Sequence, residues 1–291
     1  MRLKLTIEYA GTRYSGWQVQ KNARTVQGEI QRAIEGATLA RGFELYGSSR
    51  TDAGVHALAQ VAHLDIDTAL PPETLRRRIN DELPADIHIL AIEPVRHRFH
   101  ARHDARGRSY LYQVARRRTA FAKPFVWWVK DDLDLDRMRE AATRLVGFHD
   151  FRSFSDDDPG ITSTTVHLET LRIDEAGDLI VFRVAGSHFI WKMVRRLVGV
   201  LVEVGRGGLT PDEAAAMLVE TSRLPARLTA PASGLFLERV SYDGAADTST
   251  PRPAFIVDAF RPAPAADAPR RAAAGGSSAA RTPRGRRRRG P

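Results

Sequence analysis

The chain has 291 residues, 43% of them hydrophobic, no cysteine, and a formal net charge of +9. That is enough apolar material for one large domain or two modest ones. The missing thiols exclude disulfides, thiolate catalysis and cysteine-bearing zinc sites, and no apolar run is long enough to span a bilayer. The opening MRLKLTIEYAG lacks the apolar region of a signal peptide, so a cytoplasmic protein is expected. The charge is unevenly placed. From Asp247 onward ten Arg and three Asp supply +7 of the +9, leaving +2 for everything before it, so net basicity says little about the folded part.

Leu3, Leu5, Ile7 and Tyr9 alternate with Lys4, Thr6 and Glu8, which predicts a strand over 3–9. Thr25 is placed to cap a helix whose apolar face is Val26, Ile30, Ala33, Ile34 and Ala37. A strand near Phe43 to Tyr46, a loop around Asp52, and a strand from Gln60 to Ile66 follow. A helix from Pro72 to Leu83, stopped by Pro84, and a strand from Ile87 to Ile92 complete a first half, 1–104.

The second half, 105–244, opens with a strand from Tyr110 to Val114. Asp134 caps a helix with Leu135, Met138, Ala142, Leu145 and Val146 on one face and Gly147 just past its end. Strands near Thr165–Ile173 and Leu179–Val184 flank the turn Glu175-Ala176-Gly177-Asp178. A long apolar helix is predicted from about His188 to Val204, with Phe189, Met193, Leu197 and Val200 facing the core. Thr210-Pro211-Asp212-Glu213 is a capping box with proline at the first helical position, and Leu235 to Tyr242 closes as a strand. Strands and helices mixed this way, twice over, predict an α+β fold rather than a parallel barrel.

Residues 245–291 are rich in Ala, Pro, Gly, Ser and Arg and end in four consecutive arginines, Arg286 to Arg289. Such a composition is expected to stay disordered. It also suits a non-specific electrostatic arm for RNA. The short apolar piece Ala254-Phe255-Ile256-Val257 is not expected to dock on the body.

Three segments carry residues suited to chemistry. In Arg50-Thr51-Asp52-Ala53-Gly54-Val55-His56 the Asp-Ala-Gly core is ordinary turn chemistry, but Arg50 and His56 nearby suit an ionised carboxylate able to act as nucleophile or base. From Arg96 to Arg118 there are eight Arg and one Asp. Arginine interleaved with Phe99, Tyr110 and Tyr112 suits phosphates and unstacked bases. His97, His100 and His103 invite a metal reading, but the surrounding arginines repel a cation and no carboxylate pair accompanies them, so no metal is expected. In the third segment, Arg195 and Arg196 beside an apolar helix need a partner, for which Asp52 is a candidate.

Taken in order, these segments resemble the TruA family of tRNA pseudouridine synthases. The likeness covers Gly16-Trp17-Gln18, the RTDAGVH stretch, Phe99-His100-Ala101-Arg102, Arg108 with Tyr110 and Tyr112, and Met193-Val194-Arg195, and ends near Gly234-Leu235. The resemblance implies an α+β fold with a mixed, largely antiparallel sheet and helices in two related halves. It implies conversion of uridine to pseudouridine at positions 38, 39 and 40 of the tRNA anticodon arm, without a cofactor, by a homodimer. It makes Asp52 the catalytic carboxylate, Arg50 the residue linked to base flipping, Tyr110 the ring that stacks on the target base, and Arg195 the basic partner of the carboxylate. The chain departs from the family pattern at Ser48-Ser49, Ala10 and Gly186-Ser187-His188. The rival reading is an RNA-binding protein of the same fold without the chemistry.

Overall fold

Alternating side chains give the first strand one buried and one outward face: Leu3, Leu5 and Ile7 are fully buried while Lys4 and Thr6 face outward. The structure, a computed structural model, describes residues 1–38, 42–156, 163–244, 249–257 and 290. Strands are β1 (Arg2–Tyr9), β2 (Glu44–Gly47), β3 (His56–Asp65), β4 (Ile87–Pro94), β5 (Gly107–Ala115), β6 (Trp127–Trp128), β7 (Gly147–Asp150), β8 (Thr165–Ala176), β9 (Leu179–Gly186) and β10 (Leu235–Ser241). Helices are α1 (Val26–Thr38), α2 (Pro72–Glu82), α3 (Leu135–Leu145), α4 (Met193–Gly205), α5 (Pro211–Ala216) and α6 (Leu224–Arg227).

One sheet orders them β4-β1-β3-β10-β5-β9-β8-β7, with β2 on β3 and β6 on β5. Pairing is antiparallel except for β3 with β10 and β5 with β6. The fold is therefore α+β with a mixed, mainly antiparallel sheet. Strands from 1–104 and from 105–244 share it, and they meet where β10 lies parallel to β3 through Phe236 opposite His56. That seam brings the loop before β3 close to the start of β10. Helix starts follow the sequence signals. Asp134 accepts from the amides of Asp136 and Arg137 at α3, and Thr210 and Glu213 close a reciprocal capping box at α5.

Three features differ from the sequence-based expectations. First, α4 begins at Met193, not near His188, because Lys192 sits in the left-handed region at φ 61° and breaks the helical path. Phe189 has the right spacing for the helix's buried face, yet it lies in the preceding loop and packs edge-on against Tyr110 at 5.1 Å. Second, the short strands β6 and β7 and the four-residue α6 are too brief to leave a periodic signal. Third, the compact unit extends to Asp258, past Gly244. Residues 249–257 lie on the second face of the sheet, where Leu111, Ala115, Leu179, Val181 and Phe236 form a separate apolar cluster with Val257. Phe255 stacks on Phe125 at 4.5 Å. The Ala254 amide donates to Gln113 Oε1 at 2.6 Å, and Arg117 donates to the Val257 carbonyl at 2.6 Å. Arg183, buried and ion-paired with Glu238, also donates to the Ser249 carbonyl. The composition of the whole tail hid this local apolar run. The uninterrupted Leu179-Ile180-Val181-Phe182 of β9 is the signal that pointed to cover on both faces. Residues 245–248, 258–289 and 291 of the predicted tail fall outside the described residues.

Candidate active site

The loop between β2 and β3 is clamped by its neighbours before any substrate arrives. Gln60, fully buried on β3, donates to the Ser49 carbonyl at 2.8 Å and accepts from the Ser49 amide at 3.2 Å. The buried Tyr9 hydroxyl pairs with Thr51 Oγ1 at 2.8 Å, and the Trp17 amide donates to the Thr51 carbonyl at 3.1 Å. On the other side the segment after β1 presses close. A Cβ on Gly11 would stand 1.9 Å from the Val55 carbonyl oxygen, so only glycine fits there. Gly16, at φ 92°, lets the Trp17 amide reach Thr51.

At the tip of this loop Asp52 faces a cleft of about 980 Å³. Arg195 Nη1 lies 3.4 Å from Asp52 Oδ2, and Trp191 Nε1 donates to Asp52 Oδ1 at 3.1 Å. Arg195 stands in the first turn of α4 and is itself held: its Nε donates to the Ala230 carbonyl at 2.7 Å, and its own carbonyl accepts from the Ala230 amide. The two neighbouring arginines separate. Arg195 turns to Asp52, while Arg196 turns to Asp156, which Lys192 also engages at 2.6 Å.

Tyr110, on β5, forms a nearly buried wall of the cleft. Burial pushes its hydroxyl pKa above the usual tyrosine value, a hydrogen bond with Ser49 works against that rise, and the nearby Asp52 charge adds to it. Arg108 reaches the carbonyls of Arg102 at 2.9 Å and of Ala105 and Ser187 at 3.2 Å without a carboxylate partner among the described residues, and burial lowers its pKa. Arg50, Arg102, Arg108, Lys192 and Arg195 all line the cleft, and among its described lining residues Asp52 is the sole carboxylate. Such a surface suits a polyanion that presents one reacting group to one acid.

The structure thus brings Asp52, Tyr110 and Arg195 together in one cleft and leaves Arg50 exposed on its wall, with no bond to Asp52. The carboxylate's cation is Arg195, not its sequence neighbour Arg50. His56 is not in the cleft at all. It is buried against Phe236 at 4.7 Å, accepts from the Gly11 amide at 3.0 Å through Nδ1, and donates to the Pro124 carbonyl at 3.0 Å through Nε2. Its proximity in sequence was the turn's, since β3 begins at His56 and carries the ring to the opposite side. Trp191 went unseen in sequence because its segment read as helix. His100, one of the three histidines that invited a metal reading, spends Nδ1 on the amides of Arg102 and His103 at 3.2 Å.

A family model described as tRNA pseudouridine synthase matches residues 5–104 and 141–243. The tRNA pseudouridine synthase A of Rhodopseudomonas palustris is 42% identical over 245 residues, covering 83% of this chain and 99% of that protein. The tRNA pseudouridine synthase A 2 of Clostridium tetani is 39% identical over 245 residues, covering 83% of this chain and 98% of its own length.

Proposed function

The chain belongs to the tRNA pseudouridine synthase family and isomerises uridine in tRNA, and from that premise we propose that it acts at positions 38, 39 and 40 of the anticodon arm, with Asp52 as its catalytic carboxylate. The observation that carries the residue assignment is the placement of Asp52 as the sole carboxylate among the described residues lining a cationic cleft, already paired with Arg195.

The chemistry is an intramolecular transfer. The N1–C1′ bond breaks, the uracil turns, a C5–C1′ bond forms, the C5 proton leaves to a base or water, and N1 takes up a proton. No atom is added and no electron is exchanged with a co-reactant, so the reaction calls for no redox cofactor. The target base must first leave its stack, at a cost of a few kcal/mol. Arg50, exposed and unbonded to Asp52, is free to fill the gap left behind. Tyr110 offers its ring to the flipped uracil. Asp52 then either attacks C1′ or stabilises the positive charge that develops there. Arg195 holds the carboxylate in orientation. The active form is a homodimer in the cytoplasm, with one tRNA touching both subunits; sedimentation showing a monomer at working concentration would remove that part.

The test uses tRNA carrying tritium at uridine C5. The intact protein should release tritium, and Asp52→Ala should bind tRNA but release none. Turnover by Asp52→Ala would mean that another group does the work, and no release by the intact protein would favour RNA binding without chemistry. Mapping the modified sites on the product tests positions 38 to 40.

A further inference from the structure

Both oxygens of Asp52 are engaged in the RNA-free protein, and the two partners differ in how firmly they are held. Arg195 is 17% exposed in its side chain, stands on a helix, and is locked to both the amide and the carbonyl of Ala230. Trp191 is 47% exposed and lies in the loop before α4. Its backbone is pinned. Ser155 donates to the Trp191 carbonyl at 3.1 Å, and the next residue, Lys192, is held in the left-handed region while its ammonium reaches Asp156. That ammonium also sits 4.5 Å from the centre of the indole ring. The loop therefore fixes where the side chain starts, while the half-exposed ring itself is held by its bond to Asp52 and by the Lys192 ammonium.

An indole N–H at 3.1 Å from Oδ1 takes one lone pair of that oxygen and stands in the cleft beside it. Of the two groups on the carboxylate, Trp191 is the one able to leave. We propose that Trp191 is a displaceable cap on Asp52: it holds Oδ1 in the free enzyme and surrenders it when the flipped nucleotide enters, so that part of the binding energy goes into opening the cap. This rests on Asp52 being the catalytic carboxylate.

Two measurements test it together, both on the full chain with an unmodified tRNA transcript. The first is intrinsic fluorescence of wild type and Trp191→Phe. Four tryptophans are present, so the part due to the cap is the tRNA-induced change that Trp191→Phe lacks. The expected result is a clear change in wild type and its loss in the variant. The second is steady-state tritium release. Phenylalanine keeps the aromatic bulk but cannot donate, so displacement becomes easier by about the net value of one hydrogen bond at an exposed site, roughly threefold to tenfold in an equilibrium. Trp191→Phe should lower KM by at least threefold and raise kcat/KM above wild type. An unchanged or raised KM, a tenfold fall in kcat, or a tRNA-induced fluorescence change that is undiminished in Trp191→Phe would each overturn the cap. Asp52→Ala separates the two ideas. If that variant turns over, the assignment of Asp52 fails along with the cap; if it is inactive and Trp191→Phe gives an overturning result, only the cap fails.

Discussion

His56 makes a sharp acid-stability prediction, because its surroundings admit only the neutral ring. Nδ1 accepts from the Gly11 amide and so cannot carry a proton, while Nε2 donates to Pro124 and the ring lies between Phe236 and Phe125. Burial drives its pKa from the ordinary 6.5 down to about 4, against the pull of the Pro124 and Ser233 backbone bonds. Above pH 6.5 folded and unfolded chains both hold the ring neutral. Between 6.5 and about 4 only the unfolded chain takes the proton, so acid favours unfolding. Below about 4 both forms are protonated and the penalty levels off. At ~1.36 kcal/mol per pH unit the full loss is about 3 kcal/mol, most of it spent by pH 4.5. His63, likewise lowered to about 4 by burial, adds a similar dependence, so the measurement has to be a difference. Urea unfolding of wild type and His56→Asn, whose amide oxygen can still accept from Gly11 but does not titrate, should be run from pH 7.5 to 4.5. The variant should be less stable at pH 7.5 and lose about 2.5 kcal/mol less than wild type over the range. Parallel pH curves for the two proteins would refute the argument that His56 is held neutral by its partners.

Arg195→Lys keeps the charge but loses the fork that spans Asp52 and Ala230. Tritium release should fall about 10- to 100-fold in kcat, with Arg195→Ala lower still; wild-type kcat in the lysine variant would rule out orientation as its role. Gly11→Ala drives a methyl into the Val55 carbonyl, so a lower melting temperature and a larger loss of kcat than of tRNA affinity are expected. Ending the chain at Gly244 removes the buried Val257 and the caps on Gln113 and Arg183. The melting temperature should fall by about 4 °C or more, whereas ending it at Asp258 should leave the temperature unchanged. The Asp258 truncation also isolates the arginines beyond it: if they bind RNA, the slope of log affinity against log salt falls by about one for each phosphate they neutralise.

How legible each part was in the sequence depended on the length scale of the interaction that fixes it. Capping at Asp134 and Thr210 and alternation in β1 are local, and they were readable as they stand. The pairing of Asp52 with Arg195 spans 143 positions and needed the sheet to bring β3 beside β10 and α4 over the loop. The residues themselves offered Asp52 as a candidate partner for Arg195 and Arg196 as well as for the nearer Arg50, and the resemblance to a family singled out Arg195. Neither route reached Trp191, because a single left-handed residue, Lys192, turns an apparently helical register into a loop. Nor did composition reveal residues 249–257, whose few apolar side chains were diluted by the arginine and alanine around them.

Much of the site's organisation is already in place before substrate arrives. Asp52 sits on a loop closed by Gln60, Tyr9, Trp17 and the glycines at 11 and 16, and its cation is anchored to Ala230. A carboxylate fixed in this way loses little on reorganising during the reaction, which is the condition under which fixed dipoles and charges lower a barrier most. The same organisation narrows access to the carboxylate, since each Asp52 oxygen already accepts one hydrogen bond. On the proposed cap, Asp52 stays aimed by the fold while the exposed Trp191 gives up Oδ1. The frame is held by hydrogen bonds from the Gln60, Tyr9 and Arg195 side chains and from the backbone, and Trp191, the exposed partner, lines the cleft.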